Sequence, residues 1–258
     1  MGKAKRIFIT AASVLGAAAL AAGIIFSPTF RLKSKGMCSI PGEQVTVFYG
    51  ENAKAAKDVY AYAEAQTADI RRKLNTSQED PTVIYVYDTQ KEMQQQKYGL
   101  IAPLLHLDTF TGCNVRDKVI LTSPDAPDAA QNYDAMKYSV LRRIAAANIY
   151  QRNHDANFWL AEGVACYLTL TAAERFSADD LRWHEPPTLD KINKISRVAY
   201  EKEKLSKFAA VYVEFLEAEY GWDTVLSLLE TNDYPNCCGK SQADVYSAWT
   251  SFMEQYPR

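Results

Sequence analysis

Between Tyr138 and Tyr167 the chain reads YSVLRRIAAANIY, then QRNHDAN, then FWLAEGVACY, and this stretch constrains the fold more than any other. Met136, Val140, Ile144 and Ala147 recur at helical spacing with no Gly or Pro among them, which predicts a helix through the first part. Phe158 to Leu170 predicts a second helix, and the polar break between them is short.

The rest of the chain supplies a small sheet first and more helices afterwards. Val45 to Tyr49 alternates as a strand and stops at Gly50, and Asn52 to Leu74 reads as a long helix with Asn52 as its N-cap. Pro81 opens TVIYVY, rich in β-branched and aromatic residues, as a second strand. Lys91 to Lys97 is a short helix, and Lys118 to Thr122 within KVILTS is a third strand. Beyond Leu170 follow helical runs over Asp190 to Ala199, Ser206 to Glu219 and Trp222 to Glu230. A last run presents Val245, Trp249 and Phe252 on one face.

A small sheet followed by a mainly helical half is read as an α+β fold. The motif W-L-x-E-G-x-A-x-Y, carried by Trp159, Glu162, Gly163, Ala165 and Tyr167, resembles the second active-site helix of the gluzincin, thermolysin-like metallopeptidases with a peptidase-MA-like domain. The element order ahead of it and the Y-G and Trp helices after it resemble the same family over residues 43 to 256. In that family the first helix carries H-E-x-x-H, whose two His bind zinc while its Glu activates the bound water. The Glu of E-G is the third ligand.

Glu162 matches that third ligand, but the first helix does not match. Arg143, Ile144 and Ala147 stand where the first His, the Glu and the second His would be. The resemblance therefore implies the fold without the chemistry. No catalytic residue and no metal-ligand set is assigned, and no cofactor is expected. Two readings of the first helix stay open: Arg143 pairs with Glu162 in place of the metal, or Arg142 and Arg143 point to solvent. In active relatives the last strand edges the cleft and can accept an extended peptide by strand addition, so an extended peptide or protein ligand is the candidate partner, although KVILTS reads better as an ordinary buried strand. Trp159, Tyr167, His154 and His184 are candidates for lining that groove.

The N-terminus sets the location. Ile7 to Phe26 is uncharged and about as long as the ~20 residues that span a bilayer, behind Lys3, Lys5 and Arg6. It reads as a signal anchor, with a cleaved signal peptide as the alternative. Residues 1–36 thus form a cytoplasmic tip, transmembrane helix and stalk, and residues 37–258 an extracytoplasmic body on the cell membrane. Six of the 29 Lys and Arg lie in residues 1–36, leaving 23 against 31 acidic residues in the body, a net of −8. Such an acidic body excludes nucleic acid as the partner.

Five cysteines suit an oxidising compartment. Cys166 falls within an apolar helical stretch and reads as a core residue. A bridge between adjacent Cys237 and Cys238 is strained, which leaves two pairings, each tying Cys38 and Cys113 to the C-terminal loop. The expected function is a membrane-anchored binding or regulatory module built on an inactive metallopeptidase-like domain. Its rivals are a zinc-dependent hydrolase with rearranged ligands around Glu162, His154 among them, and a passive structural ectodomain.

Overall fold

The computed structural model describes residues 16–76, 80–106, 110–129, 131–170 and 185–254. The chain is α+β, with a five-stranded mixed sheet in its first half and a helical second half. Five strands run in the order β1-β2-β3-β5-β4: β1 (Cys38–Pro41), β2 (Val45–Tyr49), β3 (Thr82–Tyr87), β4 (Gly112–Val115) and β5 (Lys118–Thr122). The three central strands are parallel, and an antiparallel strand closes each edge. Both edge strands escape the sequence reading. Cys38–Pro41 carries no alternation, and Gly112–Val115 borrows its strand character from the hairpin with β5.

Alternation along the strands sorts side chains to two faces. Ile84, Val86, Val119 and Leu121 join the main core, whereas Tyr85, Tyr87, Cys113 and Ile120 form a smaller one. Counting the helix over residues 16–26 as α1, helices α2 (Ala53–Lys73) and α4 (Tyr133–Arg152) pack on the main-core side. On the other side α3 (Gln90–Tyr98) plants Met93 among the tyrosines. Asparagine caps start the long helices: Asn52 accepts from Ala55 N at 3.3 Å and Asn132 from Ala135 N at 2.8 Å.

The helical half is built outward from α5 (Phe158–Thr169), which Asn157 caps through Leu160 N at 3.1 Å. It lies between α4 and α8 (Ser206–Tyr220). Gly163 explains the closeness of α8, because a Cβ there would meet the Ala209 carbonyl oxygen at 2.7 Å. The predicted run Asp190 to Ala199 is split into α6 (Leu189–Lys194) and α7 (Arg197–Lys202). Ser196 ends one and starts the other by accepting from Ala199 N at 3.2 Å. Three helices complete the chain: α9 (Trp222–Thr231), α10 (Tyr234–Cys238) and α11 (Gln242–Glu254).

The expected span Ile7 to Phe26 lies partly outside the described residues, and among those described no helix is long and apolar enough to cross a membrane. Residues 27–36 are not a free stalk. The Tyr87 hydroxyl donates to Leu32 O, and Ser34 Oγ donates to Glu92 Oε1 at 2.9 Å. The end of α1 rests on Gly99, whose φ of +72° and 2.4 Å distance from a built Cβ to Ile25 O both require glycine.

The expected disulfides are absent: all five cysteines are free. Cys113 belongs to the smaller core, while Cys237 and Cys238 pack against the main core in the helical half, so the sheet separates them. Cys166 is fully buried, as its apolar setting predicts.

Candidate functional site

Glu162 is held on α5 with its side chain 1% exposed, in a helix otherwise lined with core residues. Three guanidiniums surround it. Arg197 Nη1 is 3.1 Å from Oε1, while Arg143 Nη1 and Arg142 Nη2 each stand 3.7 Å from Oε2. A second carboxylate, Glu201, bonds Arg142 Nη2 and takes Arg143 Nη2 at 3.0 Å. Arg197 and Glu201 are four residues apart on α7 and so share its inward face. The Ser196 cap sets where that helix begins and therefore which face turns inward.

Burial pushes the Glu201 carboxyl up, but the Arg142 and Arg143 guanidiniums outweigh it and hold the group down at about 2. Glu201 is therefore a fixed negative charge at neutral pH. Burial pulls the Lys97 ammonium below its ordinary value, and the charges of Arg197 and Arg143 add to that. Its Nζ donates to Asn114 O at 3.0 Å, and the Asn114 amide donates to Arg143 O at 2.7 Å. Edge strand β4 thus links α3 to α4. Burial raises the thiol of Cys113 and the phenol of Tyr150 beside this cluster, keeping both neutral.

The register inferred from sequence has a definite outcome. Arg143 and Glu162 are brought together, and Arg142 joins them rather than facing solvent. Ile144 and Ala147 are fully buried in the main core, so the positions of the base and second ligand hold only hydrocarbon. Trp159 does not line a groove. It is 1% exposed and meets Tyr200 and Trp249 edge-on, because the aromatic at the start of α5 points into the core. Tyr167 is half-buried, its ring tilted by 30° against that of Trp222 and its hydroxyl donating to Glu217. His154 is exposed in the α4–α5 turn, and His184 lies outside the described residues.

KVILT is an interior strand, as its reading as an ordinary buried strand predicts, and β4 takes the edge. Thr122 N donates to Thr111 O at 2.8 Å, so by antiparallel alternation Gly112 and Asn114 turn their backbone groups outward. Both residues are buried, and Lys97 already occupies the Asn114 carbonyl.

Nor do the residues around Glu162 fit zinc. A metal cation there would face three guanidiniums and no imidazole, and among the described residues no three His, Cys, Asp or Glu converge to hold an ion. Sequence reasoning missed Lys97, Arg197 and Glu201. The only signal for the last two is an Arg and a Glu four apart after a Ser cap, a pattern common on exposed helices. No protein-family model, curated protein or solved structure matches this chain.

Proposed function

We propose that this chain is a membrane-anchored domain of peptidase-MA-like type that binds a ligand instead of hydrolysing one. The observation that carries this reading is the charge set around Glu162, where guanidiniums supply the positive charge that zinc supplies in the family it resembles. Ile144, at the position of the general base, has no group that transfers a proton. With edge strand β4 buried, binding falls to the polar junction of α3, α4, α5 and α7 rather than to strand addition.

Support for the anchor comes from where apolar side chains reach the surface. Leu20, Ile24, Phe26 and Phe30 are exposed at the N-terminal end, and Leu100 and Leu104 are exposed on the neighbouring 3-10 segment Gly99–Leu105. Basic Arg31, Lys33 and Lys35 follow directly, an arrangement suited to an acyl and headgroup boundary.

The test is metal content and peptide hydrolysis of the purified full chain in detergent, grown with zinc and without chelator. Zinc well below one per chain with no hydrolysis is expected. Stoichiometric zinc that disappears in Glu162→Gln would restore a metallohydrolase with unorthodox ligands.

A further inference from the structure

We infer that the junction of α3, α4, α5 and α7 binds a phosphate-class dianion between Lys97, Arg143 and Arg197. Four cations meet there, Lys97, Arg142, Arg143 and Arg197, against the two carboxylates Glu162 and Glu201. Two positive charges are left over. Arginine does not discharge by losing its proton inside a protein, and each buried ion without a partner costs several kcal/mol. A fold keeps such an excess when an anion from outside completes it.

The hydrogen-bond inventory points to the same place. Arg143 is 6% exposed, and its Nη1 has no hydrogen-bond partner. The Nη1 of Arg197, 3.1 Å from Glu162 Oε1, is likewise buried without a well-aligned hydrogen bond, as are both Glu162 oxygens. Lys97 uses one of its three donors, on Asn114 O, and no carboxylate of the described residues pairs with it. The Nη1 atoms of Arg143 and Arg197 come from two helices and face the one buried carboxylate Glu162, while Lys97 is tied to Arg143 through Asn114. Guanidinium forks and an ammonium are the groups that recognise phosphate oxygens. Solvent reaches the rim, since the side chains of Arg142, Arg197 and Glu201 are 20%, 18% and 26% exposed.

This inference names the ligand class of the site proposed above and rests on that site holding no metal. It is tested by titrating the full chain, pretreated with EDTA, with inorganic phosphate at constant ionic strength, following heat and Tm. Saturable binding near one per chain is expected, with chloride unable to replace it. Binding should weaken about tenfold in Lys97→Met and in Arg197→Met, the loss of one charge-assisted hydrogen bond. Glu201→Gln should bind more tightly, and the exposed-site variant Arg72→Met should match wild type.

Lys97→Met that stays folded and loses phosphate separates binding from stability. Absence of saturable binding, or equal affinity across all four variants, overturns the inference alone when the protein is zinc-free. Phosphate binding that needs one zinc per chain and vanishes with EDTA overturns both this inference and the non-catalytic reading.

Discussion

Arg197 Nη1 approaches Glu162 Oε1 at 3.1 Å, closer than either arginine of the helix that faces Glu162 across the α4–α5 pair. The nearest countercharge to the buried carboxylate therefore comes from a short helix far along the chain. Arg142 and Arg143 both bridge the two carboxylates, Arg143 facing Glu162 with one nitrogen and Glu201 with the other.

Arg143→Ala is expected to destabilise the chain by on the order of 3–5 kcal/mol, because it takes one guanidinium from Glu162 and a charge-assisted hydrogen bond from Glu201 in a buried setting. Urea denaturation measures it. A loss below about 1 kcal/mol would place Arg143 among ordinary surface pairs.

Glu201 makes stability sensitive to acid. Its folded value of about 2 lies below the unfolded carboxylate value of about 4.3. The unfolded chain therefore binds the proton first as pH falls. The contribution is complete above about pH 5 and fades as pH falls through the folded value, by on the order of 3 kcal/mol in total. Unfolding followed from pH 6 to pH 2 should show this slope in the wild type, flattened in Glu201→Gln.

Lys97→Met should raise Tm rather than lower it. The ammonium is half-buried beside two guanidiniums with its proton held less firmly than usual, so an apolar chain of similar length removes repulsion and desolvation. A gain of about 1 kcal/mol is expected in phosphate-free buffer. A marked loss would mean that Lys97 holds β4 in place through Asn114 O.

Gly163→Ala tests why the E-G pair needs glycine in this chain. The added methyl would stand 2.7 Å from Ala209 O and 3.1 Å from Val213 Cγ2, against the backbone of α8. Helix α8 must move away, at about 1–3 kcal/mol by thermal or urea denaturation. A neutral result would mean the two helices slide freely.

Trp159→Ala should cost about 3–5 kcal/mol in urea unfolding, the penalty of emptying a core site among Tyr200 and Trp249. A variant of wild-type stability would return Trp159 to the surface.

Local rules made most of the elements legible from the amino-acid order. Asn52 caps α2 where expected, the β-branched and aromatic run TVIYVY gives β3, and the unbroken apolar spacing gives α4 and α5 within a few residues. These depend on propensity and period over one turn or one pleat, so the sequence carries them outright. Glu162 could be singled out because W-L-x-E-G-x-A-x-Y resembles the second active-site helix of the gluzincin family.

What surrounds that carboxylate was decided only in three dimensions. Lys97, Arg197 and Glu201 come from elements with no periodic link to α5, and an Arg spaced four from a Glu looks alike whether its helix face meets water or core. Edge strand β4 is set by its hairpin partner, and the separation of Cys113 from Cys237 and Cys238 by the faces they occupy. Burial turns these ordinary residues into a cluster, since a charge excess harmless in water becomes costly once Glu162 and Arg143 are sealed between packed helices.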